Sequence, residues 1–65
     1  MKNWEAALTD LNKVIELDPK YAEAYYNRSN AYLQLERTSE ACTDMREAAK
    51  LGYDNAINYV AGLCN

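Results

Sequence analysis

Histidine and phenylalanine are both missing from these 65 residues, and proline occurs once. Without histidine the usual proton shuttle is gone, and no base, nucleophile and orienting group come together elsewhere, so an enzyme is not expected. No segment approaches the ~20 apolar residues that a membrane span needs, and Lys2 is followed by no apolar run of a signal peptide. Basic residues are few and scattered: seven against ten acids, for a net charge of −3. No cluster exists to neutralise phosphates, which argues against nucleic acid as a partner. Only Cys42 and Cys64 carry thiols, and neither belongs to a CxxC pair. A zinc site would need about four ligands at tight spacing, so no metal and no cofactor is expected. The two cysteines read as unpaired, one a small buried residue and one near the terminus. That reading is compatible with a reducing compartment and a cytoplasmic location.

What is present is amphipathic helix. Nearly half the residues are apolar (49%), and tyrosine appears six times. From Asn3 to Leu17 the apolar positions Trp4, Ala7, Leu8, Leu11, Val14, Ile15 and Leu17 follow helical spacing. Asp18-Pro19 ends that helix, because proline disfavours the helical conformation in the residue before it. A second helix fits Ala22 to Leu35. Thr38 or Ser39 is placed to cap a third, which runs to about Leu51 and stops at Gly52. A short fourth helix, about Asp54 to Leu63, has Gly62 in its last turn. Trp4 and Met45 are the expected core anchors. Glu40, Asp44 and Glu47, like Asp10 and Glu16, read as solvated helix faces.

Laid on itself with a shift of 34, a period typical of helical repeats, the chain matches Ala7 with Ala41, Thr9 with Thr43 and Asp10 with Asp44. It also matches Leu17 with Leu51, Ala22 with Ala56 and Tyr25 with Tyr59. Most of these pairs fall on the inward face, where packing restricts the choice of residue.

The stretch Ala22–Asn55 resembles a tetratricopeptide repeat through Tyr25, Ser29, Tyr32, Ala41, Met45 and Ala48, with Ala7, Leu11, Val14 and Pro19 filling the partial unit before it. The resemblance implies an all-α fold of antiparallel helical hairpins stacked as a short right-handed solenoid of about four helices. In that reading residues 3–17 are the second helix of a partial repeat and 22–55 one complete repeat. Residues 56–65 are a further first helix or a terminal cap, and the whole looks like the C-terminal repeats of a longer repeat protein. Two residues depart from the family pattern: Arg28 stands where leucine is usual, and Tyr53 where proline is. Arg28 must reach solvent or find a partner.

In such solenoids the first helices line a concave groove that binds peptides or partner proteins. Carried over, the groove residues are Glu23, Tyr26, Asn27, Asn30, Leu33 and Gln34. Tyr26, Asn30 and Leu33 share a face away from the Tyr25–Ser29–Tyr32 stripe, and the amides both donate and accept hydrogen bonds. Asn27 also matches an asparagine that helps hold a C-terminal carboxylate in chaperone-binding members. The cations that such a clamp needs from the next unit are replaced by Ile57 and Ala61, so the clamp is not expected to work. The expected role is a protein-interaction scaffold. The alternative is self-assembly, with the uncovered first helix packing against another copy.

Overall fold

A computed structural model of the chain describes residues 3–64. It holds four helices: α1 (Trp4–Leu17), α2 (Ala22–Gln34), α3 (Thr38–Lys50) and α4 (Asp54–Leu63). The main contacts join each helix to the next in sequence, α1 to α2, α2 to α3 and α3 to α4. Turns of a few residues force neighbours to run antiparallel. The result is an all-α stack of helical hairpins, 28 × 26 × 17 Å.

Small residues make the close approach possible. Ala24, Ser29, Ala31, Ala41, Ala48 and Ala56 are all buried, and Met45 fills the space among them with no exposure at all. Met45, Ala48 and Ala56 form the central cluster, against which Tyr25, Tyr26, Tyr53, Val60 and Leu63 pack. Inside it the Ser29 hydroxyl donates to the Met45 sulfur at 3.9 Å, so this buried polar group has a partner. Trp4, by contrast, is only half-buried. Thr9 and Thr43 occupy equal places on α1 and α3, and each hydroxyl bonds back to the carbonyl four residues earlier (Glu5 and Ser39).

The helix ends differ from the sequence expectation. Asn3 caps α1, its side chain accepting from the Ala6 amide at 3.1 Å. Thr38 and Ser39 do not cap α3. Thr38 is already its first residue, and Arg37 stands at the cap position without a side-chain bond to the backbone. The reason lies in how α2 ends. Glu36 adopts φ 61, so that the Arg37 amide reaches Tyr32 O (2.8 Å) and the Glu36 amide reaches Leu33 O (3.0 Å). Those are the two bonds of a Schellman closure, and they use up the residues between the helices. The same closure ends α3, with Gly52 at φ 92 and bonds from Tyr53 N to Ala48 O and Gly52 N to Ala49 O. Glycine suits that conformation and glutamate is strained in it.

The tight turn at Gly52 also shifts the register of α4. Repeat spacing pairs Ala22 with Ala56 and Tyr25 with Tyr59, yet α4 begins at Asp54, two residues early. Structurally Tyr53 takes the place of Tyr21, both extended cap residues with φ −79 and −81. Ala56 then takes the place of Ala24, both buried. By the same offset Val60 and Leu63 stand at the places of Arg28 and Ala31, and both pack on the cluster that includes Met45 and Ala48 of α3. The physical cause is that Asp18–Tyr21 must accommodate Pro19, whereas Leu51–Tyr53 turns on a glycine.

The cysteines overturn their reading as free thiols. Cys42 of α3 and Cys64, just past α4, are joined by a disulfide, with Cα atoms 5.5 Å apart. Their distance in sequence hid a contact that the hairpin geometry creates. The premise of unpaired thiols behind a cytoplasmic location therefore falls away. No helix among the described residues is long and apolar enough to cross a membrane.

Two outcomes follow from these contacts. Met45→Ala is expected to cost ~2–5 kcal/mol, read as a lower midpoint in denaturant-induced unfolding followed by circular dichroism. Glu36→Gly is expected to stabilise by about 1 kcal/mol in the same experiment, because it relieves the left-handed backbone strain.

Candidate functional site

Arg28 decides how the surface of α2 is arranged. Its Nε and one terminal nitrogen donate to the two carboxylate oxygens of Asp44, both at 2.7 Å. The other terminal nitrogen donates to Asn12 Oδ1 at 2.8 Å. Tyr25 presents its ring to the same guanidinium, 5.6 Å from the centroid. One side chain thus bonds α1 and α3 from α2, and its fork matches the carboxylate in a bidentate pair. The hydrogen bonds that it donates to Asp44 raise the guanidinium pKa above its ordinary value. Asp44 is buried at 4% exposure, which corrects its placement on a solvated face. Glu40 and Glu47 are themselves half-buried. Glu40 accepts from Arg37 at 2.8 and 3.0 Å, and that hydrogen bond holds its carboxyl below the usual range.

With Arg28 turned inward, the face of α2 that carries the expected groove residues is left without a cation. Glu23, Asn27 and Gln34 are exposed there, and Asn30 and Leu33 are half-buried. None of the side-chain hydrogen bonds found among the described residues involves Asn27, Asn30 or Gln34, so their donors and acceptors are open. Glu23 accepts from the Tyr21 hydroxyl at 3.2 Å, and its charge pushes that phenol above its ordinary pKa. Tyr26 is less free than the sequence implies. Its ring lies 5.0 Å from that of Tyr53, tilted by 47°, and it packs on the central cluster. It links α2 to the start of α4 as much as it offers a surface.

The corrected register of α4 adds residues that repeat spacing missed. Asn58 and Tyr59, rather than Val60 and Ala61, follow Tyr26 and Asn27. Asn55 and Tyr59, not Ile57 and Ala61, then stand where a carboxylate clamp would need cations, and neither carries charge. The signal available in the sequence was the pair of Tyr-then-alanine steps, Tyr21 to Ala24 and Tyr53 to Ala56. No group of three or more His, Cys, Asp or Glu able to hold a metal occurs among the described residues.

Comparison with known proteins follows the same lines. A family model described as TPR repeat matches residues 1–36, and one described as Tetratricopeptide repeat matches residues 22–55. The chain belongs to the tetratricopeptide repeat family. Within it, the chain is similar to tetratricopeptide repeat protein 16 of Macaca fascicularis, 33% identical over 70 residues that cover 95% of this chain and 8% of that protein. It is also similar to the STIP1 homolog of Dictyostelium discoideum, 34% identical over 59 residues (91% of this chain, 10% of that protein). A third relative is serine/threonine-protein phosphatase T of Trypanosoma brucei brucei, 33% identical over 51 residues (78% and 11%). This repeat segment therefore spans about a tenth of the length of the curated relatives that it matches. No solved structure gives a significant match.

The ion pair generates an ordering of mutant stabilities. Arg28→Met strands the buried Asp44 carboxylate and is expected to cost about 3–5 kcal/mol, whereas Asp44→Leu leaves Arg28 a route to solvent and costs about 1–3 kcal/mol. The double variant, Arg28→Met with Asp44→Leu, is expected to regain most of the first loss in chemical denaturation.

Proposed function

We propose that this repeat segment is a protein-interaction module that takes an extended peptide or partner segment across the face of α2. Tetratricopeptide repeats in general mediate protein–protein interaction, and the role here is binding rather than catalysis. The observation that carries the reading is the row of unengaged amides, Asn27, Asn30 and Gln34, on a helix whose other faces are consumed by packing. Amides so placed can donate to and accept from a peptide backbone at several successive residues. Glu23 borders the row at one end and Leu33 offers apolar contact at the other, while Tyr26 sets the floor against Tyr53. Without a cation on this face, a free carboxylate gains nothing from being the bound group. The division into repeat units 3–17, 22–55 and 56–65 is part of the same proposal, with α4 itself starting at Asp54.

Asn27→Ala with Asn30→Ala is the direct test. Against a peptide-display library, selected peptides are expected to lose about tenfold or more in affinity for the double variant, on the scale of two hydrogen bonds lost. Circular dichroism should be unchanged. Undiminished binding by every selected peptide would refute the assignment of this face.

A second reading is favoured by one observation. Leu17 at the end of α1 is 76% exposed, and Ile57 and Tyr59 of α4 are nearly half-exposed. Each end of the stack thus presents apolar surface that a second copy could cover. Sedimentation over a wide concentration range distinguishes the readings: association at micromolar concentration supports self-assembly, and a monomer throughout removes it.

A further inference from the structure

We propose that the Cys42–Cys64 disulfide is a reducible tether that keeps α4 docked on α3. The inference does not depend on the peptide-binding face.

Helix α4 has little of its own to hold it. It is ten residues long, too short to persist without tertiary contacts. Its cap residue Tyr53 supplies no side-chain bond, and Ala56 is its single fully buried residue. Asn58, the β-branched Ile57 and Val60, and Gly62 in its last turn all lower its intrinsic helicity. The docking contacts are Ala56, Val60 and Leu63 on the central cluster, with the cap residue Tyr53 packed there against Tyr26. Beyond them, among the described residues, lies a single side-chain hydrogen bond at that end, from the Arg46 guanidinium to the Cys64 carbonyl at 3.4 Å. The disulfide ties the far end of α4 to the middle of α3, across 22 positions of sequence. It sits where the helix is weakest, opposite the Gly52 turn.

The bond is also open to attack. A surface cavity of about 390 Å³ is lined by Thr38, Ser39, Thr43, Arg46, Leu63 and the two cysteines. A dithiol reductant entering there attacks one sulfur as a thiolate and forms a mixed disulfide, releasing the other cysteine as a thiolate that takes up a proton. The second thiol of the reductant then closes its own disulfide and frees the remaining cysteine. The protein gains two thiols and the reductant is oxidised by two electrons. Released at that end, α4 frays back towards Ala56, and the side of the central cluster that Val60 and Leu63 cover opens to water.

Hydrogen exchange of the whole chain, read by mass spectrometry with and without dithiothreitol, tests this. Alkylation should count no thiols before reduction and two after. Amides at positions 57–64 are expected to exchange on the order of a hundred-fold faster in the reduced chain, while those at 22–41 keep their rates. Cys42→Ser with Cys64→Ser should reproduce the reduced pattern without any reductant, and removal of dithiothreitol in air should restore slow exchange in the native chain. Two alkylatable thiols in the air-exposed chain would overturn the proposal. So would unchanged exchange at 57–64 after full reduction, or an acceleration spread evenly over all four helices.

Discussion

The bidentate pair between Arg28 and Asp44 is the constraint on which the rest of the arrangement turns. A guanidinium cannot lose its proton in a protein and has to be satisfied wherever it sits. At the position of Arg28, in the seam between three helices, satisfaction requires acceptors from both neighbours. Asp44 from α3 and Asn12 from α1 supply them. The angle of α2 between its neighbours is thereby fixed by directional bonds, while the alanines around it permit the approach without dictating a rotation. A buried pair of this kind is a weak source of net stability, because desolvation offsets much of the attraction. Its contribution is geometric: it decides which side of α2 is left for solvent.

That choice propagates to the surface chemistry. Because the cation is drawn inward, the exposed stripe of α2 is amides, one carboxylate and an aliphatic side chain. The aromatic rings are then occupied with holding the stack. Tyr25 donates to the Pro19 carbonyl at 2.9 Å, Tyr26 meets Tyr53, and Tyr32 lies under Arg37, 5.2 Å from its ring centre. At Tyr25 tyrosine serves where phenylalanine would not, since its ring packs and its hydroxyl still finds a partner at the edge. The Arg37–Tyr32 contact also completes the closure of α2, where a side-chain contact across the turn is normally apolar.

Much of this was legible in the sequence. Four helices, their order and the stripe of small residues follow from apolar spacing and from the repeat, because packing constrains those positions directly. Less legible was anything that depended on two distant residues finding each other. Asp44 looks like its neighbours Glu40 and Glu47, and only the oddity of Arg28 in a leucine position hinted that an acid must lie buried opposite. The disulfide had no local signature at all. The register of α4 was misread because identities at a fixed period outweighed turn chemistry: Gly52 permits a tighter turn than Pro19, so α3 stops one residue earlier in the repeat than α1 and the connection after it is one residue shorter. The closure at Glu36 was missed for a similar reason, since glutamate is a poor advertisement for a left-handed backbone. Of the candidate face, the residue identities could be read, but the part of Tyr26 in the core could not.

Neighbour-to-neighbour packing has a mechanical corollary. A stack in which each helix leans mainly on the next yields under tension by peeling from its ends, one helix at a time, rather than by a single rupture. The bond between Cys42 and Cys64 removes from that process the loop that it closes, 22 residue steps long, which would otherwise pay out about 70 Å of chain at full extension. A pull on both ends would lengthen α1 and α2 and the first turn of α3, while α4 and most of α3 stayed a closed knot of fixed length.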